Sequence, residues 1–370
     1  MERIGIIGGG HLGTMMAEAA HRMGMQIIVL DPQPNCPCSQ YADEQIVAEF
    51  TNQSKMEELC IKSDLVTYAF ENVPYHIIKE LGIQYNIPQG EMPLFLSQHR
   101  LREKISATRA GAICGEYIPV NNTYELIEGI RLIDYPCILK TCDTFEKKES
   151  VILKGGTQFP EASRVVENHH SILEKWINFD YEVSIVVVRS IFGDISTFPV
   201  TLNINKGSNL LMSIAPAPIP EEIIHKVEST AKTMMRNFGF VGTLTIEMFV
   251  VGNEVIFNEM IPHPHNSGNY TIEACEVDQF EQHIRALSGL PLKETTLLHP
   301  AITVSFYGQD VEGVRIIEQR QLPRTYVHDY LKNEIQEDIK VGHVTFTDYS
   351  KEEVVKLMDQ YWKSHLEESQ

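Results

Sequence analysis

The apolar positions of this chain change rhythm along its length. Up to about residue 95, short unbroken apolar runs alternate with segments of helical spacing. Residues 4–7, 26–30, 44–47 and 65–68 read as strands. The segment from about 12 to 23, closed by Gly24, reads as the helix between the first two. This alternation predicts an α/β unit with a parallel, doubly wound sheet. A helix follows near 100–110, closed by Gly111, and then helix mixes with antiparallel strand. Residues 138–141 form a short strand after Tyr135-Pro136, and 182–189 pairs with 195–200 across Phe192-Gly193-Asp194. Pro220 and two acidic residues open a helix over 219–238 that Gly239 closes. Residues 243–250 and 254–260 form a hairpin around Gly252-Asn253, and a β-rich tail ends in a helix over 352–362. The boundaries expected are 1–95, 96–295 and 296–370.

Composition narrows the function classes. The 370 residues carry 50 acidic and 31 basic side chains, a net charge of −19 that repels nucleic acid and anionic membranes. Neither is an expected partner, whereas a local cluster of Lys or Arg still admits an anionic small molecule. No apolar run approaches the ~20 residues of a membrane span, and the chain opens directly on a strand without a leader pattern. The seven cysteines are scattered, and Cys36 and Cys38 lack a second pair at metal-ligand spacing, so they read as thiols in a reducing compartment. The expected location is the cytoplasm.

Two motifs carry chemistry. Gly8-Gly9-Gly10-His11-Leu12-Gly13 satisfies G-x-G-x-x-G between a strand and a helix, with Asp31 ending the next strand. Such a turn offers bare amides to an anion and fits a dinucleotide, another anionic ligand, or simple helix-on-strand packing. A nicotinamide dehydrogenase would need a catalytic acid or base in a second domain, and none stands out. The second motif is the hairpin, whose apolar strands each carry an isolated acid, Glu247 and Glu259. A buried charge is costly unless paired or bound to metal. A two-residue turn at Gly252-Asn253 would set Glu247 opposite Asn258 and turn Glu259 to the other face. A three-residue turn, Gly252-Asn253-Glu254, pairs the two acids directly, roughly 5 Å apart at Cβ, which suits a bridging Mg²⁺. Edge carboxylates facing solvent are the plainer alternative. The hairpin then enters a donor-rich loop, Pro262 to Tyr270.

The order of motifs resembles one family over nearly the whole chain. They are Gly-Ile-Ile-Gly-Gly-Gly-His-Leu-Gly at 5–13, Leu-Asp-Pro at 30–32, Phe-Glu-Asn at 70–72 and Ile-Pro-Gln-Gly at 87–90. Val-Gly-Thr-Leu follows at 241–244, then Pro-His-Asn-Ser-Gly at 264–268 with Tyr-Thr-Ile-Glu-Ala-Cys after it. The family is 5-(carboxyamino)imidazole ribonucleotide synthase, an ATP-grasp ligase of purine biosynthesis. The resemblance implies a Rossmann-like pre-ATP-grasp domain, a two-lobed α+β ATP-grasp region, a small β-rich C-terminal domain, and a homodimer. It implies ATP and Mg²⁺ as cofactors, and bicarbonate and 5-aminoimidazole ribonucleotide as substrates. By the same resemblance, Arg100, Lys140, Glu182, Asn258 and Glu259 contact ATP, with Glu174-Lys175-Trp176-Ile177 as the adenine hinge. Glu247 and Glu259 are the implied metal ligands. Gly10, His11, Glu71, His263, His265, Asn266, Ser267, Lys332 and Lys340 are the implied substrate contacts.

Several positions depart from the family. Its glycine-rich lid is replaced by Thr141 to Ser150, which contains no glycine, leaving Lys147 or Lys148 to join Lys140 as catalytic cations over the phosphates. His263 replaces an Arg, Asn269 replaces a His, and Asn203-Ile204-Asn205 and Ile339-Lys340-Val341-Gly342-His343 each lack one family residue. Each lost guanidinium contact costs ~1.5–3 kcal/mol of phosphate binding. The losses gather on the lid and the substrate phosphate. The readings are therefore an active ligase, a paralogue that keeps the fold as a binding module, or an ATP-grasp ligase for another substrate.

Overall fold

A computed structural model describes residues 2–145, 149–207, 209–332 and 335–363, so Lys147 and Lys148 lie outside the described residues. The first unit is the parallel sheet that the apolar runs predict. Its strands Arg3–Ile7, Gln26–Asp31, Glu44–Val47 and Leu65–Tyr68 are ordered 3-2-1-4. The central strand is apolar because it is covered on both faces: Ile6 belongs to one core cluster and Ile7 to another.

The glycine turn shows what its residues are for. A Cβ on Gly13 would lie 2.0 Å from the Gly8 carbonyl oxygen, and Gly8 itself has φ +101°. The last glycine thus lets the helix His11–Arg22 start hard against the strand. Asp31 braces this turn. One carboxylate oxygen accepts the Gly9 N–H at 2.7 Å, and the other accepts the Gln33 N–H at 2.8 Å. The acid clamps the turn from within.

Two further sheets build the middle of the molecule. One is antiparallel, with Tyr117–Val120, Ser171–Lys175, Cys137–Thr141 and Ser150–Leu153 in that spatial order. The helices Thr123–Ile133 and Phe159–Asn168 supply the other half of its core. The other, of nine strands among the described residues, runs in the order Glu254–Ile261, Gly242–Val251, Tyr181–Arg189, Thr201–Lys206 and Asn209–Ala215. It then passes without a break into Ala301–Tyr307, Lys340–Thr347 and Thr325–Asp329, while Ile195–Thr197 pairs with Tyr181–Arg189. The helix Glu221–Phe238 buries Ile223, Val227, Ala231, Met234 and Met235 under this sheet, and Gly239 ends it at φ +68°. No described helix is long and apolar enough to cross a membrane.

The glycine turn yields a paired prediction. Gly13→Ala should cost about 2–3 kcal/mol, because the helix or strand must move to admit the methyl group. Gly10→Ala should stay within about 0.5 kcal/mol, since nothing lies within 4 Å of its Cβ position. Urea unfolding of the two variants checks the contrast.

Candidate active site

One helix face organises the site. The helix Arg100–Arg109 begins at His99, whose side chain accepts the Arg102 N–H. It places Arg100, Glu103 and Lys104 at i, i+3 and i+4, on a single face. Together they meet two strands, Glu254–Ile261 and Ser171–Lys175. Arg100 Nη1 lies 3.7 Å from Glu259 Oε2, Glu103 accepts the Met260 N–H at 2.7 Å, and Lys104 Nζ lies 3.4 Å from Glu174 Oε1. Lys140, at the end of Cys137–Thr141, donates to the other Glu174 oxygen at 2.9 Å. Glu174 is buried, which raises its pKa, but Lys140 and Lys104 more than offset this and hold it at about 2.

Glu174 therefore uses its side chain to fix two lysines. The Lys175 and Trp176 N–H groups already donate to the Glu116 and Pro136 carbonyls, at 3.0 and 3.1 Å. Among the described residues, Ile177 is the first of this segment whose N–H makes no backbone hydrogen bond.

The carboxylate hairpin pairs Glu247 with Glu259, by a route different from the one expected. The three-residue turn does not form. Val251 faces Glu254 across a two-residue turn at Gly252-Asn253. That register holds through Phe257 opposite Met248, and then Asn258 is inserted as an extra residue, so that Glu259 faces Glu247. Exposure follows the bulge: Phe257 and Met260 are buried, while Asn258 and Glu259 are both partly open beside Glu247. Sequence reasoning weighed turn length and missed the bulge, which no local residue pattern announces. Burial, followed by Glu259, Glu182 and Glu103, pushes the Glu247 carboxyl up to about 8. Glu182 is likewise raised by burial and by Glu259, against a hydrogen bond from Asn205. So many acids in so little water fit a cation. Among the described residues no group of three or more His, Cys, Asp or Glu is placed to hold a metal ion by itself, so a cation here would need ligands from a bound molecule.

The donor-rich loop links this carboxylate end to the glycine turn. His265 Nδ1 lies 3.9 Å from Glu247 and 3.1 Å from the Ser267 hydroxyl. Asn266 Oδ1 lies 3.0 Å from His11 Nε2, and His11 stacks on Tyr330 with centroids 4.1 Å apart. Lys340 sits over the Tyr330 ring at 5.7 Å. His263 departs from its expected role. Its ring nitrogens face the Pro264 carbonyl at 2.8 Å and Glu71 at 3.2 Å, so it is a partner of Glu71 rather than an open phosphate ligand.

The charges at this end are the inverse of the carboxylate end. Burial, and then Lys340, lowers His11 to about 3. Burial, with His263 and Lys340 behind it, lowers His265 to about 3. Burial and Lys332 lower Lys340 to about 7. A cavity of about 620 Å³ opens here, lined by Gly9, Gly10, His11, Asp31, Gln33, Cys36, Pro37, Tyr330 and Lys332. Sequence reasoning missed Tyr330, Glu103 and Lys104. The charged pair of the helix was findable from its i, i+3, i+4 spacing with Arg100, whereas Tyr330 acquires its place only through tertiary packing.

Comparison with known proteins follows the same division. A ribonucleotide synthetase preATP-grasp domain matches residues 1–96, an ATP-grasp domain 106–280, and a phosphoribosylaminoimidazole carboxylase C-terminal domain 304–357. The chain is 38% identical to the N5-carboxyaminoimidazole ribonucleotide synthase of Bacillus subtilis, over 97% of this chain and 95% of that protein. It is 36% identical to the enzyme of the same name from Staphylococcus saprophyticus, over 97% and 96%. A crystal structure of an N5-carboxyaminoimidazole ribonucleotide synthetase with ADP superposes at TM-score 0.93 and 41% identity, covering 97% and 96% of the two chains. An Aspergillus clavatus synthase in complex with ADP and 5-aminoimidazole ribonucleotide superposes at 0.90 and 25% identity, covering 97% of each chain.

The Glu174 cluster predicts a pH dependence. Its folded-state pKa is depressed, so its stabilisation is present above the unfolded carboxylate value of about 4.3 and is lost as pH falls through about 2. Glu174→Gln should therefore destabilise the protein at pH 7 and progressively less from pH 4.5 to 2.5. Denaturant midpoints across that range read the convergence.

Proposed function

Because the chain belongs to the N5-carboxyaminoimidazole ribonucleotide synthase family of ATP-grasp ligases, we propose that it carboxylates 5-aminoimidazole ribonucleotide with bicarbonate. ATP drives the reaction. A bicarbonate oxygen attacks the γ-phosphorus and ADP leaves. The exocyclic amine then attacks the carboxyl carbon of carboxyphosphate, phosphate leaves, and the amine nitrogen loses one proton. The observation that carries this reading is the polarity of the site, with crowded acids at one end and buried basic side chains at the other.

Each end fits one part of the substrates. Ile177 offers its N–H to the adenine edge. Lys140 and Arg100 flank the phosphates, and Asn258, Glu247 and Glu259 would hold Mg²⁺. The raised Glu247 carboxyl supports that fit, since a divalent ion removes the repulsion behind part of the shift. When bound, the ion would neutralise charge developing on the phosphate oxygens. Lys340, Lys332, His11 and the glycine-turn amides suit the ribonucleotide phosphate, and His265 and Ser267 lie between the two ends. The seven free thiols are consistent with a cytoplasmic setting, and the family resemblance suggests a homodimer.

The test is release of ADP that requires the aminoimidazole ribonucleotide, bicarbonate and Mg²⁺ together. Glu259→Gln should lower kcat about 100-fold or more and flatten the dependence on Mg²⁺. Lys340→Met should raise the KM for the ribonucleotide about 10- to 100-fold, at ~1.5–3 kcal/mol for one charge-assisted contact, with ATP affinity unchanged. A chain that binds both nucleotides yet releases no ADP would be a binding module instead.

A further inference from the structure

The strand Glu254–Ile261 is the edge of the nine-stranded sheet, so every second N–H along it points away from its neighbour Gly242–Val251. In an unbroken strand, outward amides that include Phe257 would recur at 259 and 261. Here the outward donors are Phe257, bonded to the Ile113 carbonyl at 2.7 Å, and Met260, bonded to Glu103 Oε1 at 2.7 Å. They are three residues apart, and the odd spacing is the bulge at Asn258 seen from the far side of the strand. Without the bulge, the register of the hairpin turn continues. Glu247 would face Asn258, and Glu259 would turn to the opposite face of the sheet.

Two forces act on this phase shift. Burial of Val255, Phe257 and Met260 on one face asks for it, but an unbranched Met side chain tolerates sliding. A hydrogen bond to a fixed carboxylate does not. Glu103 is 1% exposed and its helix is held on both sides of it, by Lys104 against Glu174 in the small antiparallel sheet and by Arg100 against Glu259 on this same strand.

We propose that Glu103 is a positioning residue: by accepting the Met260 N–H it locks the bulged register that keeps Glu259 facing Glu247. It contacts neither nucleotide nor cation and acts through the strand. The consequence for cation binding rests on the metal reading given above, whereas the consequence for the Met260 amide does not.

The test compares three substitutions in the full chain by two readouts, hydrogen exchange at the Met260 amide and Mn²⁺ affinity in the presence of ADP. Glu103→Gln keeps an oxygen acceptor at the same reach, and should leave both readouts within about threefold of the starting protein. Glu103→Asp withdraws the acceptor by one methylene, and Glu103→Leu removes it. Each should speed Met260 exchange and weaken Mn²⁺ binding by about tenfold or more, the scale of one lost buried hydrogen bond. ADP binding without metal should not change. Should Glu103→Leu fail to fold, Glu103→Asp decides alone. The proposal is overturned if Glu103→Asp retains full Met260 protection, or if it loses protection while Mn²⁺ affinity stays constant. It is also overturned if Glu103→Gln behaves like Glu103→Leu, which would make charge rather than the hydrogen bond the cause. Glu259→Gln separates the two readings: unchanged Mn²⁺ affinity there removes the metal assignment and leaves the exchange result standing.

Discussion

Charge buried against charge along the helix Arg100–Arg109 is the constraint on which the site depends. Three consecutive positions of one face reach the carboxylate hairpin, its backbone, and the small antiparallel sheet. The two lobes of the nucleotide site are thereby referred to a single rigid element. Such burial is tolerated only because each charge finds a partner; removing one partner of a buried pair typically costs about 3–5 kcal/mol. Lys104 and Lys140 share one acid, Glu174, so the arrangement is a network, and single substitutions in it will not add.

The same economy of water explains the contrast between the ends of the site. Acids crowd around Glu247 where little solvent remains, while His11, His265 and Lys340 are pressed toward their neutral forms at the other end. Each end is electrostatically unfavourable on its own, the acids through mutual repulsion and the bases through burial. Preorganised charge of this kind acts without reorganisation at the moment of reaction.

Much of the fold was legible because it rests on local rules. The four parallel strands, the helix closed by Gly239 and the carboxylate hairpin follow from apolar runs, caps and turn residues. The antiparallel sheet around Glu174 was read only at residues 138–141, since its other strands are short and set among helices. The site was legible in its residues more than in its geometry. Glu247 and Glu259 do face each other, yet the reason lies in an inserted Asn258, and a bulge is decided by what docks on the outer edge. Asp31 and His263 show the same limit. Both matched a motif for ligand contact, and both are taken up by neighbours within the chain, a matter that pairing across long sequence distances decides.

The continuity of the nine-stranded sheet has a consequence for synthesis of the chain. The strand Asn209–Ala215 lies in the middle of the finished sheet, but its partner Ala301–Tyr307 is translated only after the hairpin and the helices that follow it. Until then the nascent protein presents a bare, apolar row through Leu210, Leu211, Met212 and Ile214, with its amides and carbonyls open to any extended segment nearby. The C-terminal strands thus do more than extend the sheet. They are the chain's own chaperone for an edge that it must expose while it is being made.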